Sequence, residues 1–235
     1  MSTGKTDEFI QLYNRLETSI RSMYDVPQEY GAVAWLVRNV RSYRSVSAEL
    51  DYCREVRNLL QHRERIKDSY AVIPSDSMVE TLRSVLASIE AVPRAADLGT
   101  KVTDIFSASL NDRIVPLMKA MHKRSFTLIP ILKEGRVVGA FSENTLLTYL
   151  IKNNSVSFGE DDRFTLLSDL LPLDRHSSET FEFVAQDTPA PMIAEMFQKS
   201  LRNSERLEAA FVTAHGKRSE RLLGMITSWD MAAFF

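Results

Sequence analysis

After residue 95 one order of elements is read twice, and a duplicated unit of this size admits few folds. The first reading predicts a strand at 104–107 and a helix over 112–123 carrying Val115, Leu117, Met118 and Met121. A hairpin follows, with strands 126–132 and 137–141 about a glycine-bearing turn, and then a helix over 143–151. The second reading places a strand at 181–185, a helix at 191–201, strands at 208–214 and 222–227, and a closing helix over 228–234. The register can be checked. Asp112 aligns with Thr188 and Met121 with Phe197, both 76 residues apart, whereas Val138-Gly139 aligns with Leu223-Gly224 at 85. The drift falls in two turns, 202–206 and 214–221, where insertions are tolerated.

Before residue 93 the chain reads as helix. Phe9, Leu12, Tyr13, Leu16, Ile20 and Met23 recur at the helical period. Pro27 separates that helix from a second over 28–40, and a third spans 45–67. Ser75 and Ser77 can cap a fourth, which carries Val79, Leu82, Val85, Leu86 and Ile89 and stops before Pro93. Four helices with short connections imply an antiparallel bundle. The expected fold is therefore an α+β chain in two parts. An all-α bundle over 1–93 precedes a duplicated β-α-β-β-α module over 94–235, with copy one at about 97–152, a polar linker at 153–163 and copy two at about 164–235.

Composition narrows the function classes. A formal net charge of -2 excludes a global basic field of the kind that announces nucleic-acid binding. The single cysteine, Cys53, rules out an internal disulfide and reads as a small packing residue. The histidines (His62, His122, His176, His215) lie near no cysteine pair, so no metal is expected. The polar start MSTGKTDEF shows no secretory signal, and no apolar run approaches the ~18 residues of a membrane span. The expected location is the cytoplasm.

The two copies end in Gly139-Ala140-Phe141-Ser142-Glu143-Asn144-Thr145 and Gly224-Met225-Ile226-Thr227-Ser228-Trp229-Asp230. Thr227 leaves a strand and opens a helix, where a hydroxyl and free backbone amides suit a phosphate. Asp230 lies one turn on, and its carboxylate can accept from both hydroxyls of a ribose. The same Thr-x-x-Asp is also a helix-capping pattern, and both roles can hold together. With the strand, helix and hairpin upstream, the stretch resembles the CBS domain, whose closing segment reads G-h-h-[ST]-x-x-D with h apolar. The resemblance covers about residues 101–235. It implies a pair of domains that binds an adenine nucleotide (AMP, ADP or ATP) as a regulatory ligand and that dimerises. Thr227, Asp230, Gly224 and Ser228 would form the principal site. Copy one keeps Ser142 but has Thr145 where the aspartate would stand, so a weak, altered or empty site is expected there. A cyclic dinucleotide or S-adenosylmethionine stays open as ligand.

In Arg57-Asn58-Leu59-Leu60-Gln61-His62, a helical wheel puts Tyr52, Cys53, Val56, Leu59 and Leu60 on the buried face. Arg54, Arg57, Asn58, Gln61, His62 and Arg65 fill the opposite face. An all-helical bundle with Arg-Asn-x-x-x-His on its third helix resembles the HEPN family. That resemblance implies a homodimer whose facing motifs cleave RNA without metal. Arg57 would hold the scissile phosphate, with Asn58 beside it, and His62 would move the proton. About one such spacing is expected by chance, so the motif is weak alone. The stretch 35–67 holds eight Lys or Arg against four Asp or Glu, which suits modest RNA attraction. Three readings stand at this point. The first is a nucleotide-gated ribonuclease of toxin or defence type. The second is a non-catalytic nucleotide-binding and dimerisation module acting on a partner protein. The third is an AMP- or ATP-gated partner of a metabolic enzyme.

Overall fold

A computed structural model describes residues 2–62, 70, 72–152, 158–164, 179–202 and 206–232. The chain divides into two compact units, Met1–Val92 and Pro93–Phe235.

The first unit is helical. Helix α1 (Ser2–Met23) buries Phe9, Tyr13, Leu16 and Ile20, one stripe at helical spacing. Each fully buried side chain of this size contributes about 1.5–3 kcal/mol. The short α2 (Ala32–Asn39) runs into a 3-10 helix (Arg41–Val46) and then α3 (Ser47–His62). Helix α4 (Asp76–Glu90) is capped by Ser75, whose Oγ accepts from the Met78 N–H at 3.3 Å. Lys5 pairs with Asp76, Glu8 with Arg83 and Arg15 with Glu90, so the partners climb α1 and α4 together. These two helices are therefore parallel, against the up-down order expected for four antiparallel helices. The reason is α2. At eight residues it is too short to act as a full strut, so three long helices set the directions.

Helix α3 also sits differently from its wheel. Cys53, Val56 and Leu60 are buried, but Tyr52 and Leu59 are 59% and 40% exposed. Arg54 and Arg57 are half-buried. The inward face is thus rotated toward the arginines. Residues 63–67, where that helix was expected to continue, lie outside the described residues.

The second unit holds both copies. In the first, β2 (Ala108–Ser109) lies parallel to β3 (Leu128–Lys133), which pairs antiparallel with β4 (Arg136–Ser142). Helix α5 (Ile114–Arg124) connects β2 to β3, and α6 (Glu143–Lys152) follows β4. In the second, β5 (Glu179–Ala185) lies parallel to β6 (Arg206–Thr213), with α7 (Ala190–Arg202) between them. Strand β7 (Gly224–Ile226) pairs antiparallel with β6. Each sheet is mixed. Leu128, Val137 and Ala140 of copy one share a buried cluster with Ala209, Phe211 and Leu222 of copy two.

Three expectations change here. The strand expected at 104–107 does not form: residues 102–104 make a turn, with the Asp104 N–H bonded back to the Lys101 carbonyl at 2.9 Å, and the strand begins only at Ala108. Strand β1 (Thr100–Lys101), from the segment placed at the start of copy one, instead pairs with β7 of copy two. The Ala95 and Ala96 N–H groups bond the Thr188 and Gln186 carbonyls at 2.8 and 2.9 Å, so this whole segment docks on copy two. Finally, the described part of the expected closing helix, 228–232, forms 3-10-type turns, with Asp230 N–H to Thr227 O at 3.1 Å and Ala232 N–H to Trp229 O at 3.3 Å, and residues 233–234 lie outside the described residues. Pairing also divides the register drift. Ile131 faces Gly139 and Val212 faces Gly224, so the offset is 81 at the middle strand. The drift is shared between the turn before β6 and the β6–β7 loop.

Candidate functional site

The C-terminal end of β7 delivers Thr227 and Asp230 to one point. The Thr227 N–H donates to Asp230 Oδ2 at 2.7 Å, and the Thr227 hydroxyl donates to the same oxygen at 2.8 Å. Both side chains are half-buried, Ser228 is exposed, and Trp229 is 88% exposed. The capping role of the pattern is therefore realised. It alters the expected chemistry, because both Thr227 donors are committed to a carboxylate. A phosphate at that amide would lie beside Asp230, where like charges repel. Asp230 Oδ1 has no hydrogen-bond partner among the described residues and remains an acceptor.

The equivalent point in copy one is closed. The Thr145 N–H donates to Ser142 Oγ, the Ser142 N–H donates to Thr145 Oγ1, and the two hydroxyl oxygens lie 3.2 Å apart, all three contacts at 3.2 Å. Ser142 is 4% exposed and Thr145 is fully buried. The pair is a neutral, internal cap, and neither residue faces a ligand. Gly224 is likewise structural. A Cβ there would lie 3.2 Å from the Thr100 carbonyl, so the missing side chain makes room for β1.

In the bundle, Arg57 is already engaged. Its Nη2 lies 3.2 Å from Glu17 Oε2, its Nη1 donates to Asn58 Oδ1 at 3.4 Å, and its guanidinium carbon stands 5.4 Å from the Tyr13 ring centroid. Its side chain is 22% exposed. Burial first, and Glu17 second, push the Tyr13 phenol far above its usual range. The His62 backbone ends α3, but its side chain lies outside the described residues, so no distance joins it to Arg57. Burial pushes the Cys53 thiol up to about 11, which makes it inert at neutral pH.

One side-chain contact had no sequence signal. In the loop between β6 and β7, His215 Nδ1 lies 2.7 Å from Glu220 Oε1, and the His215 N–H donates to Glu220 Oε2 at 2.7 Å. That backbone donor, ahead of the others, lowers Glu220 to about 2. The loop also reaches copy one, where Arg218 donates to the Val138 carbonyl at 3.0 Å and the Leu222 N–H to the Gly135 carbonyl at 2.9 Å. Among the described residues no cluster of His, Cys, Asp or Glu is placed to hold a metal, and no helix is long and apolar enough to cross a membrane.

No protein-family model matches the chain, and no curated protein matches it. Among the solved structures similar to it are proteins with CBS domains. CBSX2, solved in complex with AMP, is 14% identical over 60% of this chain and 95% of its own, with a TM-score of 0.42. The CBS domain pair of protein MJ0100, solved with 5′-methylthioadenosine and S-adenosyl-L-methionine, is 18% identical over 61% and 96%, at 0.42. A hemolysin-like protein containing a CBS domain, from Oenococcus oeni, is 11% identical over 63% and 93%, at 0.40. Likenesses at this level decide neither ligand nor activity.

Proposed function

We propose that the chain is a regulatory protein whose 94–235 module binds an adenine nucleoside ligand at Thr227 and Asp230. The carrying observation is the free oxygen of Asp230. It sits on a carboxylate held rigid by Thr227, at the end of a strand, in the second of two β-α-β-β units. A carboxylate fixed in this way can accept from a ribose hydroxyl without reorganising. Adenine itself rests on the resemblance of the closing segments. The geometry favours a single site, since the Ser142–Thr145 counterpart is internal.

The bundle is read as the non-catalytic partner of this module. Arg57 carries its counter-ion within the fold, so a phosphate there would share the guanidinium with Glu17 and meet a charge already partly neutralised. The dimer that the resemblance implies would use exposed Leu147, Ile151 and Trp229, and sedimentation would detect it.

The test is thermal denaturation of the full chain with adenosine, AMP, ADP, ATP and S-adenosylmethionine. A ligand at 100 times its Kd adds about 2.7 kcal/mol. Adenosine should stabilise along with the nucleotides, because the ribose is the group Asp230 takes, and Asp230→Ala should abolish the response. Failure of every adenine compound to raise the melting temperature of the wild type would sink the reading. RNA cleavage lost in Arg57→Ala with the fold intact would restore the ribonuclease.

A further inference from the structure

Copy one carries a cavity of about 400 Å³ between the C-terminal half of α5 and the first turn of α6. Small-molecule sites span roughly 300–1,000 Å³. Met118, Met121, Phe126 and Leu146 are its apolar lining. Lys119 and Glu143 stand on its rim, with His122 three residues on from Lys119 along the same face of α5. Lys119 and Glu143 are exposed, and neither has an ion pair or a side-chain hydrogen bond among the described residues.

The duplication supplies an internal control. At the offsets of 76 and 85, Met118 and Leu146 correspond to Ala194 and Met231. Those counterparts are 4% and 0% exposed, whereas Met118 and Leu146 are only half-buried. Glu195 stands in place of Lys119 and is paired with Lys199 at 2.9 Å. Ser228 stands in place of Glu143 and carries no charge. Copy two thus closes and neutralises the place that copy one leaves open and charged, so the opening is not a property of the repeated unit.

We propose that this cavity binds a free apolar α-amino acid, of the class of leucine, methionine or phenylalanine. The two methionines adapt to such a side chain and make favourable contacts with an aromatic ring. At the rim Lys119 takes the carboxylate and Glu143 takes the ammonium. A fatty acid fits less well, because its carboxylate would meet Glu143 with no ammonium between them. A simple amine would leave Lys119 without a partner. The inference is independent of the ligand at Thr227 and Asp230, since the lining residues all belong to copy one.

The test is isothermal titration calorimetry of the full chain with L-leucine, L-methionine and L-phenylalanine. Octanoate and isoamylamine serve as analogues that lack one charge. At least one amino acid should bind, and both analogues should bind at least about tenfold more weakly, because each leaves one rim charge unpaired. Lys119→Gln and Glu143→Gln should each weaken binding about tenfold or more, with the melting temperature unchanged, since both side chains are exposed. Met118→Trp should fill the cavity and abolish binding, and the two rim variants decide the matter should it prevent folding. Asp230→Ala should bind the amino acid as the wild type does. The proposal is overturned if no amino acid binds with a Kd below about 1 mM. Unchanged binding in both rim variants overturns it as well. Octanoate binding as tightly as the amino acids would show a general apolar cavity, and binding lost in Asp230→Ala would place the ligand at the other site; either result sinks the proposal. So does a wild-type dimer that binds no amino acid and that Met118→Trp dissociates in sedimentation, since a second copy would then cover the cavity.

Discussion

A Cβ on Gly99 would lie 2.3 Å from the carbonyl oxygen of Met225. Gly99 has φ +63, and its neighbour Thr100 pairs with Met225, so the chain meets β7 here with no room for a side chain. Left-handed backbone alone costs a non-glycine residue about 1–2 kcal/mol, and the clash with main chain adds to it. Gly99→Ala should therefore lose at least ~2 kcal/mol, which lowers the melting temperature by roughly 4–8 °C. Calorimetry checks this, and an unchanged melting temperature would mean that β1 does not hold β7.

Acid should unlock the β6–β7 loop. Glu220 titrates at about 2 in the fold against an ordinary 4.5. A depressed carboxylate contributes stability above its unfolded pKa, and that contribution fades as pH falls from 4.5 through about 2. Urea unfolding of wild type and Glu220→Gln should accordingly differ at pH 6 and converge near pH 2. A constant gap across that window would show that the carboxylate charge is not what closes the loop.

Arg57 and Glu17 should be energetically coupled. Their side chains are only 22% and 28% exposed, so the pair is screened less than a surface one. A double-mutant cycle with Arg57→Ala and Glu17→Ala should give a coupling of about 0.5–1 kcal/mol. A value near zero would free Arg57 for a phosphate and remove the main argument against catalysis.

The two caps should separate structure from binding. Ser142→Ala deletes a buried cap and should cost about 1 kcal/mol. It should leave the adenine response of the wild type intact, whereas Asp230→Ala should remove it. A ligand response lost on Ser142→Ala with the fold intact would place a second site in copy one.

Much of the helical unit was legible. The buried stripe Phe9, Tyr13, Leu16 and Ile20 follows from a period of 3.6, which any core-facing helix must obey. The alternation of strand and helix after residue 95 was also legible, because turns and apolar runs are local signals. The short elements escaped it. No strand forms at 104–107, and the described part of the helix expected to close copy two, 228–232, is a pair of 3-10 turns, since neither is long enough for a period to show. The α3 wheel was off because Arg57 is drawn inward by Glu17, forty residues away in sequence.

Thr227 and Asp230 were visible as a pair from spacing alone, because three residues within one turn fix a contact whatever the rest of the chain does. So were the duplicated copies, Cys53 as packing and the doubt over Thr145. What the sequence could not hold was the state of each group. Local order brings Thr227 to Asp230, but only packing leaves that carboxylate at the surface and buries Ser142 with Thr145. Long-range pairing alone sends β1 to copy two, makes Gly99 indispensable, and gives Arg57 a carboxylate. Burial and charge compensation depend on residues far apart in the chain, so they are settled only when the chain has folded.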